Sequence, residues 1–476
     1  MIASPLILGE PELEFAGGQR HEDIRFGLMN FGPIVDSSRS RQIRVGIVGT
    51  GESVAKLRTW LDVCAAGIPA KKSHHTNLFP SFPGFRQDSC FGLECVFPSS
   101  LTCQISDQIF KTAMLGTSNS IVADAVAAFE SELAALDAKD KPDVVLCAIP
   151  STLLEPTTGS QAAQTTDPIL NFRGLLKAKA MRFRFPIQIA LPATYDGKGR
   201  RAIVGARPGT YEDQGVQDDA TRAWNFFVAL LYKAGICPWR LARDSHDLQT
   251  CFVGISFYHA IETTRVVTSM AQVFNERGEG MIVRGDPVEL SKDDPQPHLT
   301  RQDAEKLLTH ALTKYRDEHK HVPARVVVHK TSTFNDNETA GCREAAKTMG
   351  IGLVDLVSIA KSSVRLFRDG FYPPLRGTYL ALDDRNHLLY TRGSSPFYQT
   401  YTGMYVPRPL LLRTAFREQS PEQLSAEIIA LTKLNWNSSQ IDGSLPITIR
   451  AARRVGDILK YVPEHEIPRA HYSYYM

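Results

Sequence analysis

Five short runs of apolar, largely β-branched residues alternate with longer segments of helical period, and that alternation leaves few folds open to the chain. The runs are Ile43 to Thr50 (IRVGIVGT), Asp143 to Pro150 (DVVLCAIP), Pro186 to Pro192 (PIQIALP), Cys251 to Tyr258 (CFVGISFY) and Ala324 to Ser332 (ARVVVHKTS). Helices are expected from Ser53 to about Ala66, from Ser120 to Leu136, from Ile169 to Ala180 and from Asp219 to Ala234. Buried strands separated by helices are the pattern of a parallel α/β sheet. Gly235 and Pro238 stop the last of these helices. A domain boundary is expected between Pro238 and Asp247, just before the strand that opens at Cys251.

The chain has 476 residues, enough for two or three domains, and 43% of them are hydrophobic, enough to fill sizeable cores. No apolar run approaches the roughly 20 residues that span a bilayer. The start, MIASPLILGEPELEF, has no basic region leading into a cleavable apolar stretch, so the cytoplasm is the expected compartment. Eight cysteines (Cys64, Cys90, Cys95, Cys103, Cys147, Cys237, Cys251, Cys342) are scattered without a CxxC pair, which suits reduced core thiols. Cys90, Cys95 and Cys103 fit no zinc spacing.

Net charge is only +3, so charge as a whole does not point to nucleic acid. Locally it does. Between Arg173 and Arg207 lie nine Lys or Arg (positions 173, 177, 179, 182, 184, 198, 200, 201 and 207) against the single acid Asp196, interleaved with Phe172, Phe183, Phe185 and Tyr195. The first forty residues, rich in Gly and turn formers, read as an extended arm, and Thr157 to Asp167 (TTGSQAAQTTD) as a flexible polar loop. Gly49 and Gly51 begin a GxGxxG-like turn, but the third glycine position is Val54 and no strand ending in an acid follows to hold a ribose.

Three segments carry a resemblance: CFVGISFYH (Cys251 to His259), ARVVVHKTS, and SLPITIRAARRVG (Ser444 to Gly456). In order and spacing they resemble the first strand, a later central strand and the C-terminal helix of an Argonaute PIWI domain, which has the RNase H fold. The resemblance implies an α/β chain: an arm at residues 1–40, a Rossmann-like MID domain at 41–240 and an RNase H-like PIWI domain at 241–476. In cutting members those three segments bear carboxylates, or a His on the helix. Here the matching positions are Ser256, Thr331 and Arg453. Two-metal hydrolysis needs acids that hold two Mg2+ about 4 Å apart. Two hydroxyls and a guanidinium are poor ligands for so hard a cation, so no catalytic residue is expected.

In the MID domain of the same family, a helix with a Tyr or His and a Lys four places on, a Gln, and a later helix with Asn and Lys hold the 5′ phosphate of a guide. The positions that resemble these are Arg173, Lys177, Gln188, Asn225 and Lys233. Arg173 departs from the Tyr or His of that pattern, and a guanidinium there can still stack on a base or fork onto phosphate. Positions 173 and 177 share a helix face, as do 225 and 233. A terminal phosphate carries close to two negative charges, which suits lysines with neutral donors around them. In many prokaryotic relatives the C-terminal carboxylate helps bind Mg2+ beside the phosphate, which makes Met476 the implied metal ligand. The tract Phe367 to Ser394 resembles the family too, and Lys330, Arg376 and Arg392 are implied contacts to guide or target backbone.

No segment is left over for the N and PAZ domains of long Argonautes, so the resemblance is to a short prokaryotic one. It implies a guide RNA, a single-stranded target DNA that is sensed without being cut, and no membrane. It also implies a heterodimer with an APAZ protein bearing a sirtuin-like or TIR NADase, acting in defence against invading DNA. Two other readings stand beside it. One is an NAD(P)-binding oxidoreductase built on Gly49 to Gly51, and the other a guided nuclease with displaced acids such as Asp336 or Glu338.

Overall fold

The computed structural model describes residues 4–139, 141–154, 170–197, 217–244, 246–259, 266–274, 280–288, 296–369, 373–403, 405–441, 443–463 and 466–476, with 266–274 and position 287 as backbone alone. The expected loop from Thr157 to Asp167 lies outside the described residues.

The N-terminal residues are not an extended arm. Strand β1 (Leu6–Ile7) pairs antiparallel with Thr378–Ala381, and Leu13–Glu14 pairs with both Arg20–His21 and Arg240–Leu241. Helix α1 (Ile24–Phe31) follows, its first turn capped by the Asp23 carboxylate, which accepts from the backbone N–H of Arg25 and Phe26. The attachment has an electrostatic cause. Glu10 accepts from Arg376 Nε at 2.8 Å and faces Lys433 Nζ at 3.0 Å, and both cations are buried. The segment therefore brings the acid that lets two charges sit inside the second domain.

The first domain is a parallel sheet between two helical layers. Strand β2 (Gln42–Thr50) is central, with β3 (Glu94–Val96) and then β4 (Thr102–Ile105) along one edge and β5 (Val144–Ala148) and β6 (Ile187–Ala190) on the other. Strand residues alternate between two cores, as a pleated strand requires. Val144, Leu146 and Ala148 face α2 (Gly51–Ala66) and α5 (Asp219–Lys233), while Val145 and Cys147 face α3 (Ser118–Lys139) and α4 (Phe172–Ala180). Gly49 belongs to this packing: a Cβ there would lie 2.6 Å from the carbonyl oxygen of Ala148. The glycine admits the neighbouring strand and needs no dinucleotide to explain it.

The second domain is built on a nine-stranded mixed sheet. Its centre is parallel: β7 (Thr250–His259), β10 (Arg325–Lys330) and β11 (Leu353–Lys361). Antiparallel β8 (Val266–Phe274) and β9 (Gly280–Val288) extend it beyond β7. On the far side β14 (Leu410–Phe416), β13 (Asn386–Leu389), β12 (Thr378–Ala381) and β1 complete it. One face packs on α6 (Arg301–His319) and α7 (Asp336–Thr348), the other on α8 (Pro421–Lys433) and α9 (Ile447–Leu459).

Helix α9 lies against β7 at Gly254, where a Cβ would sit 2.2 Å from the carbonyl oxygen of Thr448. On the next strand His329 Nδ1 meets Thr448 Oγ1 at 2.9 Å. Burial, with Arg325 nearby, pulls the His329 pKa down to about 3, so the ring is neutral in this contact. Gly254→Ala forces strand and helix apart, and we expect a cost of about 1–3 kcal/mol or more. The check is a lowered thermal midpoint, at about 2–4 °C per kcal/mol for a domain of this size.

Packing runs across the boundary expected near residue 240. One apolar core holds α2 and α5 of the first domain together with α8 and α9 of the second. Trp239 Nε1 donates to the Lys433 carbonyl at 3.0 Å, and the Tyr232 ring stacks on Trp436 with centroids 4.2 Å apart. All eight cysteines are free thiols, and no helix among the described residues is long and apolar enough to cross a membrane.

Candidate nucleic-acid site

The residues expected around a phosphate converge on one cavity of about 330 Å³. Arg173 and Lys177 reach it from α4, Gln188 from β6, and Asn225 and Lys233 from α5. Met476 closes it from the chain end. Local chemistry explains the aim of each element. Helix α4 starts where the Asn171 side chain accepts from Gly174 N–H at 2.9 Å, which sets the register that turns position 177 inward. It docks on α9 at Gly174, where a Cβ would be 2.8 Å from the Tyr461 ring.

The electrostatics are unusual for a protein interior. Lys177 is 1% exposed and Lys233 4%. Lys177 Nζ donates to the Ile187 carbonyl at 3.3 Å. Among the described residues neither lysine has an ion-pair partner, and no acidic side chain lines the cavity. Burial pushes the Lys177 pKa well below the usual lysine range, and repulsion from Lys233, Arg173 and Arg454 adds to it. Burial, followed by Arg173 and Arg454, brings Lys233 down to about 7. Gln188 Nε2 donates to the Phe226 carbonyl at 3.2 Å, while its Oε1 is buried without a partner. Isolated ammonium groups cost several kcal/mol to bury. Two unpartnered lysines side by side gain their charge most readily beside an anion.

Not every expected contact is available. Asn225 is committed to the wall itself: its Oδ1 accepts from Ser439 N at 2.7 Å and Ser439 Oγ at 2.9 Å, and its Nδ2 donates to Gln217 at 3.1 Å. It ties the second domain's loop to α5. In the basic run, Phe172, Phe183, Phe185 and Tyr195 are core side chains. Arg182 pairs with Glu130 and Arg184 with Asp137. Lys198, Arg200, Arg201 and Arg207 lie outside the described residues.

Two of the three implied backbone contacts are corrected. Lys330 is fully buried, paired with Glu338 and donating to the Thr333 carbonyl at 3.1 Å, with the Phe257 and Phe334 rings beside it. Arg376 spends its guanidinium on Glu10, the Thr391 and Ile429 carbonyls and Thr432. Both cations are buried and engaged within the fold. Arg392 is half-buried in the segment after β13.

A cation that the sequence reading missed is Arg454. It comes from α9 in the other domain and acts on both cavity lysines. Its one signal was the Arg-Arg pair whose first member had been compared with a nuclease position.

At that nuclease-like position, the register Ile255↔Lys330 sets Ser256 and Thr331 at the same end of adjacent parallel strands. Ser256 is buried, Thr331 half-buried, and Arg453 is exposed on α9. Among the described residues no group of three or more His, Cys, Asp or Glu is arranged to hold a metal ion. Asp336 is exposed in the first turn of α7. Glu338 is consumed by the fold: it accepts from Leu299 N–H at 2.8 Å and Asn335 N–H at 3.1 Å, lies 3.1 Å from His298 Nδ1, and pairs with Lys330.

The charge count at the phosphate cavity also departs from the expected Mg2+. Two ammonium groups, with the Arg173 guanidinium beside them, more than balance a phosphate dianion. A Mg2+ added to them leaves excess positive charge in a buried space, even counting the Met476 carboxylate, and magnesium sites are built from carboxylates and water. The residues fit the phosphate and not a resident divalent ion.

No family model matches the chain. A curated relative, the protein Argonaute of Aquifex aeolicus (strain VF5), is 23% identical over 237 residues, which is 49% of this chain and 31% of that protein. Among solved structures, Clostridium butyricum Argonaute bound to a guide DNA (5′ deoxycytidine) and a 19-mer target DNA superposes with a TM-score of 0.63 at 14% identity, over 97% of this chain and 53% of that one. Marinitoga piezophila Argonaute in complex with 5′ OH guide RNA gives 0.57 at 12% identity, over 99% and 59%. The chain thus spans 31% to 59% of the length of these relatives. With nearly all of its backbone following theirs, the chain has the α/β fold of the MID and PIWI parts of these Argonaute structures.

Proposed function

We propose that this protein holds a guide RNA by its 5′ phosphate in the cavity between α4, β6 and α5, and pairs it with a target DNA strand that it does not cut. The observation that carries the reading is the pair of buried lysines, Lys177 and Lys233, in a cavity lined by no acidic side chain among the described residues. A 5′-hydroxyl guide, the kind seen with the Marinitoga relative, would leave both ammonium groups without a counter-charge. Retention of the target uncut is supported by Ser256, Thr331 and Arg453 at the nuclease-like positions and by the internal engagement of Glu338.

A guide-holding chain of this kind acts as a sensor. The resemblance to short prokaryotic Argonautes supplies the rest of the proposal: target pairing biases a conformational equilibrium in a complex with an APAZ protein, and a sirtuin-like or TIR NADase on that partner is switched on. In such an assembly sequence reading is left to base pairing, and the protein holds backbone and shape.

The test compares one RNA with a 5′ phosphate and with a 5′ hydroxyl, by fluorescence anisotropy against the purified chain. The phosphorylated guide is expected to bind at least about 100-fold more tightly, the worth of two charge-assisted contacts. Labelled complementary DNA added with Mg2+ should be retained at full length. Equal affinity for the two RNAs would overturn the phosphate assignment. Guide-dependent cleavage would restore the nuclease reading.

A further inference from the structure

We propose that the cavity neutralises the guide's terminal phosphate with protons taken up by its two buried lysines rather than with a divalent metal, so that guide loading is proton-linked and independent of Mg2+. This rests on the reading of the cavity as a 5′-phosphate site and deepens it. The geometry carries the argument. Lys177 on α4 and Lys233 on α5, both nearly without exposure, line one cavity from different elements.

The charged and titratable groups facing the lysines come from every element packed around the cavity. Arg173 lies one turn before Lys177 on α4, and Arg454 comes from α9. Arg222 lines the wall from α5 and is paired with Asp219. Cys147 on β5 is buried, which pushes its thiol up to about 12 and keeps it neutral. The Met476 carboxylate adds one negative charge at the chain end. With no phosphate present, that set cannot support two full charges on neighbouring buried ammonium groups.

The direction of the linkage follows from the signs. A lysine whose pKa is depressed by burial is partly or wholly neutral in the free protein near pH 7 to 8. A phosphate dianion beside it favours the ammonium form and raises that pKa, so the complex holds more protons than its separate parts. Lys233, at about 7 in the free protein, gains most of a proton at pH 8. Lys177, whose pKa burial also lowers, takes up charge in the same sense. Affinity should therefore fall above pH 7 by about tenfold per pH unit for each proton taken up. Below about pH 6 it should fall again, because the phosphate itself is protonated. Metal adds nothing that the ammonium groups have not already supplied.

The experiment is isothermal titration of the full chain with a short 5′-phosphorylated RNA and its 5′-hydroxyl twin at pH 8. Buffers of different ionisation enthalpy are used, each with EDTA and with Mg2+. We expect uptake of roughly one to two protons for the phosphorylated RNA and close to none for the hydroxyl RNA. The affinity should agree within about twofold between EDTA and Mg2+. Lys233→Arg, which is always charged, should remove about one proton of uptake whatever its effect on affinity. No proton uptake, or affinity that rises about tenfold or more on adding Mg2+, would overturn this inference while the phosphate preference stands. Loss of the preference itself would overturn the functional reading beneath it.

Discussion

Replacing Lys177 and Lys233 together with methionine is expected to weaken binding of a 5′-phosphorylated guide by about 10²- to 10⁴-fold, down to the level of a 5′-hydroxyl guide. Each charge-assisted hydrogen bond contributes about 1.5–3 kcal/mol, and about 1.4 kcal/mol is a factor of ten in affinity. Methionine keeps the apolar stem of lysine in place, so α4 and α5 should pack as before. The folded protein should be no less stable, because two buried lysines without acidic partners among the described residues are removed. The paired measurement is guide affinity and thermal midpoint of the same variant. Falling affinity with an unchanged or raised midpoint marks a binding site, whereas a fall in both marks a packing defect.

Glu338→Ala should act in the opposite sense. It strips the partner from Lys330, which has no exposure, and leaves the backbone N–H groups of Leu299 and Asn335 without their acceptors. Breaking a buried ion pair from one side costs about 3–5 kcal/mol. The α7 capping box, in which the Asn335 and Glu338 side chains each accept from the other's backbone N–H, is lost as well. A drop of about 10 °C in the midpoint of the second domain is expected by calorimetry. If Glu338 were instead a displaced metal ligand, its removal would abolish a metal-dependent cut and leave stability nearly untouched. The two outcomes do not overlap.

Both predictions turn on lysines that look alike in the sequence. Lys177, Lys233, Lys330 and Lys433 are all buried in the fold, but Lys330 and Lys433 meet Glu338 and Glu10, while the first two face a cavity. That difference separates a structural ion pair from a ligand site. It depends on a partner that is absent from the local sequence: Glu10 is 366 residues from Arg376 and further still from Lys433.

What the sequence determined by itself is whatever short-range physics governs. Apolar runs became strands in the expected places, with the run beginning at Asp143 settling as Val144–Ala148 and the helix at Asp219 closing at Lys233. Spacing of four residues on α4 and eight on α5 put Lys177 and Lys233 on inward faces, because helical period alone decides which residues share a side. Tertiary structure decided the rest. It wove the N-terminal residues into the second domain, turned Phe172, Phe183 and Phe185 into core, and buried Arg376 and Lys330. It also brought Arg454 from another domain toward the phosphate cavity while keeping acidic side chains off its wall. Burial and charge pairing are set by which distant segments meet, and no local pattern encodes the dielectric or the counter-charge a side chain will find there.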